Sequence, residues 1–377
     1  MKLPSWRPGA RGTCLIICMF GWLPQHAFAE SVGVTSAVYV RSDTDETVVV
    51  SPRAHANVHL GEPTQVDVTY AADIWTSASI DIRASASRPV TEQRNELVGA
   101  LSHDFGDLTL GASYRYSVEN DYTSHGAAAL STLELAEKSS TLGLNLFGFW
   151  DDVGRSGDDS FSRPLTTLGA RASFTQLIDP RMFAQLTYEI GHLQGYQASP
   201  YRWVGIGPTA TGYGCVGAQD CFRENVPETR LRHALAALVR RALSNTVSIG
   251  AEYRFYFDDW EQSSHTVAAQ LGWLVDTHAL LTLRYRFYTQ GAVWFYSKIY
   301  TGPVDLNTYI TRDREQSPMQ NHRVSLDFEE RFDLRGKGGA SLVVNVQAAG
   351  AFFAYNDFVG LEQVSALEVT LGVALEN

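Results

Sequence analysis

The 377-residue chain carries 30 Lys and Arg against 41 Asp and Glu, a formal net charge of −11, with 45% hydrophobic residues. An acidic balance of this size lacks the basic footprint that a nucleic-acid partner requires. Past the N-terminal segment no run of ~18 uncharged apolar residues exists, which excludes a helical membrane span.

Residues 1–29 read as a secretory signal peptide. Lys2, Arg7 and Arg11 form a positive n-region, Thr13 to Leu23 an apolar run, and Ala27-Phe28-Ala29 a small-x-small cleavage site. The apolar run is too short to cross a bilayer as a helix, which needs ~20 residues. Leu15-Ile16-Ile17-Cys18 offers a lipoprotein-type alternative, although Ile17 stands where that signal wants Gly, Ala or Ser. Cleavage leaves 27 Lys and Arg against 41 Asp and Glu in residues 30–377, a formal charge of −14. Cys14 and Cys18 leave with the signal. Cys215 and Cys221 remain, five residues between them in a Gly-rich loop, and in an oxidising compartment they are expected to form a disulfide. A load of 17 Tyr, 18 Phe and 8 Trp is unusual in so acidic a chain. It suits the aromatic girdles of a membrane barrel.

Residues 30–377 alternate between polar and apolar with period 2. In Asn245–Trp260, Val247, Ile249, Ala251, Tyr253, Phe255 and Phe257 share one face, and Ser248, Gly250, Glu252, Arg254, Tyr256 and Asp258 the other. His278–Gln290 and Asp107–Val118 repeat the pattern. Taken in order, the expected strands are 32–42, 47–60, 64–77, 92–105, 107–118, 123–135, 139–151, 163–178, 181–195, 228–243, 245–258, 263–276, 278–291, 320–333, 338–354 and 363–376. The fold class expected is all-β, a transmembrane antiparallel β-barrel of about sixteen strands. Fourteen would result if 92–105 and 123–135 were not strands.

Every second connection is tight, among them Gly61-Glu62-Pro63, Gly106-Asp107, Asp179-Pro180, Ser244-Asn245 and Leu334–Lys337. The interleaved ones include the long loops 78–91, 152–162, 196–227 and 292–319. This asymmetry is that of outer-membrane barrels and puts both termini in the periplasm. Strand one begins almost at once after the signal, which leaves no room for a plug domain. At the C-terminus Thr370, Gly372 and Leu375 fit the spacing of a barrel-assembly signal, but Asn377 stands where an aromatic is usual.

The alternation places Arg115, Glu252, Arg254, Arg284, Arg286, Arg323, Asp327, Glu329 and Arg331 inside. Two readings are open: a water-filled solute path, or a cross-braced interior that only satisfies buried charge. A rim group gathers Asp258, Asp259, Trp260, Glu261 and His265. An omptin-like hydrolase would use acids and a His at such a place to activate water, whereas a solvated acidic loop is the commoner arrangement. His55 and His59 stand ~13 Å apart on a strand and cannot share an ion. Asp151, Asp152, Asp158 and Asp159 form a calcium candidate without regular ligand alternation. Neither a haem motif nor a phosphate-cradling Gly loop is present, and no metal or cofactor is expected.

Several stretches carry a resemblance: Gly191–Gly195 followed by Ser199-Pro200-Tyr201-Arg202, Thr229–His233, Tyr253–Trp260 with Ser264-His265-Thr266, Tyr285–Gln290 with Phe295-Tyr296, and Arg312-Asp313-Arg314. Together they resemble an uncharacterised family of proteobacterial and Bacteroidetes outer-membrane proteins, known as a domain of unknown function. The resemblance implies a barrel and no activity. The matching residues lie mostly at the outer ends of strands nine to fourteen, which suggests a packed cap built from loops 196–227 and 292–319. The expectation is a porin-like channel or transport component of the outer membrane, not an enzyme, with its pore partly capped. The alternative is a non-conducting barrel that holds a periplasmic or lipoprotein partner. The remaining partners expected are outer-membrane lipid and the barrel assembly machinery.

Overall fold

The computed structural model describes residues 29–77, 90–210, 214–334, 339–358 and 360–376. The signal peptide up to residue 28, Asn377, and most of loop 78–91 and of the turn after Leu334 lie outside the described residues.

Sixteen antiparallel strands close into a barrel. They are β1 (Ala29–Asp43), β2 (Thr47–Leu60), β3 (Thr64–Ser77), β4 (Val90–Asp104), β5 (Leu108–Val118), β6 (Tyr122–Leu135), β7 (Ser140–Val153), β8 (Arg163–Asp179), β9 (Met182–Gly195), β12 (Thr229–Ala242), β13 (Val247–Asp258), β14 (Ser263–Leu274), β15 (Ala279–Gln290), β16 (Met319–Asp333), β17 (Ser341–Tyr355) and β18 (Gln363–Glu376). Each pairs with its neighbours in the chain, and β1 meets β18 from Gly33↔Glu376 to Asp43↔Ala366 to close the ring. The strands 92–105 and 123–135, on which the count of sixteen turned, are β4 and β6. One excursion was not foreseen. Between β9 and β12 the chain forms a separate two-stranded sheet, β10 (Trp203–Ile206) with β11 (Asp220–Arg223).

The alternation has a physical cause in the two surroundings of the wall. Val267, Leu271, Leu283, Val324 and Leu326 are large, apolar and exposed on the outer face. A membrane is the surrounding in which such a band is stable, because the strands satisfy every backbone group within the ring. Near the long-loop end this band finishes in a repeated pair. Tyr114, Tyr188, Tyr253 and Tyr285 each place a hydroxyl 2.6–2.8 Å from Nδ1 of His125, His233, His265 and His322 respectively, on the neighbouring strand. Trp150 stands at the same level, in register with His125. Trp273 and Phe332 sit near the opposite end, so two girdles bound the apolar band. Inside, Phe149 lies across Gly126, where a Cβ would stand 2.6 Å from the ring. That close approach lets the aromatic cover bare backbone on the neighbouring strand.

Opposite surroundings for the two faces predict opposite responses to charge. Val324→Arg, at mid-depth outside, should lower folding stability in lipid vesicles by about 2–4 kcal/mol. Thr187→Arg, facing a lumen cavity of about 480 Å³ that also holds Glu189, should change it little. Denaturant titration of both variants decides the matter; equal losses would contradict this assignment of faces.

Candidate functional site: the capped lumen

All nine side chains expected inside are on the inner face, and pairing divides them. Arg115 meets Glu96 at 2.6 Å and stacks on Phe149, and Arg284 meets Glu252 at 2.9 Å. Asp327 accepts from Asn345 and Gln347, and Arg331 pairs with Glu376 at 3.0 Å. Arg323, also expected inside, bonds Glu368 at 2.8 Å. Arg254 and Arg286 instead lie over the rings of Tyr256 and Tyr288, at 5.7 and 5.6 Å. Among the described residues these two guanidinium groups meet no carboxylate. Glu329 shares the inner face with Leu280 and Asn345, its register partners.

The supposed acidic rim is a different object. Asp258 has a fully buried side chain, ion-paired with Arg230 at 2.5 Å. The same carboxylate accepts from the Tyr256 hydroxyl and from the backbone N–H of Trp260 and Gln262. It therefore both ends β13 and fixes the turn into β14, where Glu261 takes a positive φ of 64°. Arg230 is stacked over Trp260 at 4.1 Å, and the Trp260 indole N–H donates to the Thr229 carbonyl. Trp260 is itself core, packed with Val226, Val293 and Phe295. Asp259 accepts from the Leu231 N–H.

His265 does not belong with these groups. It is in register with Phe255 on the outer face and bonds Tyr253, while Asp258 faces inward. Period 2 separates them: an even-numbered residue of β13 and its partners in β14 point inside, and His265 does not. Asp258 and His265 thus cannot act on one water. The four calcium candidates do not converge either. Asp151 and Asp152 are consecutive on a strand and face opposite ways, and Asp158 is taken up by Arg155 and Ser160. The described acidic groups that do gather are Glu92, Glu119 and Asp121. Burial pushes the Glu119 carboxyl up; Arg94 opposes this, and Asp121 and Asp73 add to it.

Above the wall, the loops 196–228 and 291–318 pack into one cap. Val204 and Ile206 of β10 meet Ile310, and backbone bridges join Ile206 to Tyr300 and Asn225 to Ile310. A disulfide links Cys215 to Cys221, Cα atoms 5.6 Å apart, at the edge of the small sheet. Buried Glu224 ties the two loops: it accepts from the Ser199 N–H, the Thr311 hydroxyl and Arg202, and Arg202 also reaches Asp313 at 2.9 Å. Asp313 caps the short helix Arg314–Gln316. Arg312 follows Thr311 in the same loop. The cap also reaches the other turns of the mouth. Arg314 bonds Asp45 of the β1–β2 turn at 2.8 Å, Tyr201 bonds Asp121 after β5, and Tyr296 bonds the Asp357 carbonyl after β17.

Sequence reasoning missed Arg41, Arg230, Arg232, Glu224 and Asp45. Extending the period-2 assignment through 228–243 would have placed Arg230 and Arg232 inside. No local signal pointed to Glu224 or Asp45, which bond Thr311 and Arg314, 87 and 269 positions away.

Residues 149–345, just over half of the chain, match the family described as "Protein of unknown function (DUF3570)". The chain belongs to this family. The match spans β8–β16, the cap and part of β7 and β17, and therefore every cap contact described above except those to Asp45, Asp121 and Asp357. No curated protein is similar in sequence. Among solved structures, a bacterial polysaccharide outer membrane secretin is similar over 91% of this chain and 97% of its own, at 8% identity and a TM-score of 0.53. OprD of Pseudomonas aeruginosa covers 93% and 97% at 9% identity and 0.45, and the CymD monoaromatic hydrocarbon channel 94% and 89% at 9% and 0.43. At such identities the likeness is one of fold, an outer-membrane-type β-barrel.

Removing the Asp258 carboxylate strands a buried guanidinium, a loss of about 3–5 kcal/mol. Asp258→Ala should unfold at lower urea concentration than the parent and expose Trp260, read by tryptophan fluorescence. An unchanged midpoint would contradict the role given to this pair. The cap should respond to pH with a definite sign. Burial raises the Glu224 carboxyl above its ordinary value; Arg202 opposes the shift and Asp313 adds to it. A raised carboxyl contributes stability that is full below its unfolded value and is lost as pH rises through the folded one. Amide-exchange protection of the cap, corrected for intrinsic rates, should therefore fall as pH rises above the ordinary carboxylate range. Glu224→Gln should flatten that dependence, and a cap that tightens with rising pH would refute it.

Proposed function

We propose that the protein is a porin-like channel or transport component of the Gram-negative outer membrane, its outer mouth partly capped by the two long loops. One observation supports this reading above the alternatives. Among the described residues, ion pairs between strand side chains join strands that are adjacent or next but one, such as Arg171–Glu189, Arg284–Glu252 and Arg323–Glu368. Such pairs run along the wall and do not bridge the lumen. A plug of side chains would need charges joined across it. A sixteen-strand ring is wide enough for an aqueous channel. The inner face holds polar cavities of about 480 and 440 Å³, one against the wall between β8 and β13 and one beneath the cap.

With the lumen as the path, the cap is the narrow part and chemistry is left to others. The fold satisfies its backbone in lipid, the charged interior keeps water in the bore, and the cap restricts entry. The purified protein in a planar bilayer should show discrete conductance steps. Deleting residues 297–311 from the cap should enlarge them while the barrel stays heat-modifiable on electrophoresis. Absence of steps in both proteins would overturn the channel and favour a non-conducting scaffold.

A further inference from the structure

We propose that the cavity beneath the cap is a binding site for an anionic solute, one carrying carboxylate or phosphate groups, and that a line of arginines leads it down the β12–β15 wall. The inference rests on the channel reading and names the solute class of that channel.

The cavity of about 440 Å³ is lined by Arg41, Arg230, Arg232 and Arg314, with Tyr256 and Tyr355 among its walls. Three of these cations are already answered by carboxylates: Arg41 by Asp43, Arg230 by Asp258 and Arg314 by Asp45. Arg232 is not. Its Nε is buried and without a hydrogen-bond partner, and among the described residues its guanidinium meets no acidic group. The one carboxylate in its register, Asp258, is fully engaged by Arg230, Tyr256 and two backbone N–H groups. Glu315 also borders the cavity, so the lining holds four guanidinium groups and one carboxylate.

The pattern continues below. Arg254 on β13 and Arg286 on β15 face the lumen, held over Tyr256 and Tyr288 rather than over carboxylates. Glu252, the nearest acid of that wall, is paired with Arg284. Arg286 stands directly opposite another arginine, Arg323. A cation over an aromatic face keeps its charge and its donors, so an anion in the lumen still finds them.

A partly buried guanidinium without a counter-ion is destabilising, and glutamine would fill the same place without that cost. Three such groups in succession are accounted for by a counter-ion that comes from solution. Arginine also suits the task chemically, since its planar fork bonds both oxygens of a carboxylate or phosphate. Across the barrel, eight strands away from β13, β3 carries Asp67 and Asp73, and these meet His55 and Arg94. The unpaired guanidinium groups of β12, β13 and β15 thus stand across the barrel from the acids of β3 and from the group Glu92, Glu119 and Asp121.

The test has two arms, each using the full-length protein. In a planar bilayer under a KCl gradient, the reversal potential should report anion selectivity. Citrate added on the loop side should interrupt the current. In Arg232→Gln/Arg254→Gln/Arg286→Gln, selectivity should shift toward cations and block should need about tenfold more citrate or higher. Cation selectivity in the parent, or an unchanged citrate block in the triple variant, overturns the proposal and leaves the channel intact. If no current flows at all, the channel reading fails and calorimetry decides the site. Citrate should then bind the folded, detergent-purified protein about tenfold more tightly than it binds Arg232→Gln; no binding, or equal binding, refutes the site.

Discussion

A bilayer offers no hydrogen bond to an exposed strand edge, and the closure of β1 on β18 answers that constraint. Eleven residues of each strand pair without interruption, so no edge is left in the wall. Much else follows from this one seam. A closed antiparallel ring built from hairpins needs an even number of strands, and both ends of the chain then lie on one side. Every strand must show one face to lipid and the other to the bore, which imposes period 2 on nearly the whole sequence.

Because the outer face is apolar, the wall's charged groups are concentrated inside or in the loops. Many of the inward charges are paired, among them Arg115–Glu96, Arg171–Glu189 and Arg323–Glu368. Position decides what a charge does there. At mid-wall, ion pairs join near neighbours along the wall. At the end of β13 the pair Arg230–Asp258 is buried, its carboxylate wholly so, and its energy goes into geometry. The carboxylate holds a turn that in turn seats Trp260 under the cap. The wall and the cap are thereby one structure, joined at a buried ion pair whose remaining acceptor sites are filled.

The barrel was legible in the sequence because its signal is local. Alternation along Val247–Phe257 states two environments without reference to any other segment, and sixteen such stretches separated by turns give the ring. The same rule, applied strictly to β14, places His265 outside with Phe255; grouping it with Asp258 by nearness in sequence ignored the face on which each residue stands. The cap was legible only as an outline. Its sheet of two four-residue strands is too short for a periodic signal, and it is defined by contacts with Tyr300 and Ile310 about a hundred positions further on. Glu224 and Asp45 are ordinary acids in sequence. Their burial depends on partners, Arg202, Thr311 and Arg314, that only the folded chain brings together.

The cap's attachments bear on how the mouth works. It is tied to the β1–β2 turn, to the segment after β5 and to the loop after β17, and it is braced internally by the disulfide and by Glu224. Contacts spread around a rim resist hinging, since a hinge would have to break those on its far side together. In the proposed channel a solute therefore passes beside the cap, against whatever side chains line its underside. The underside here is Arg232 and its neighbours, on a wall where the acids are already engaged. On the proposed reading, selectivity arises from fixed charge at a fixed aperture, with no moving part required.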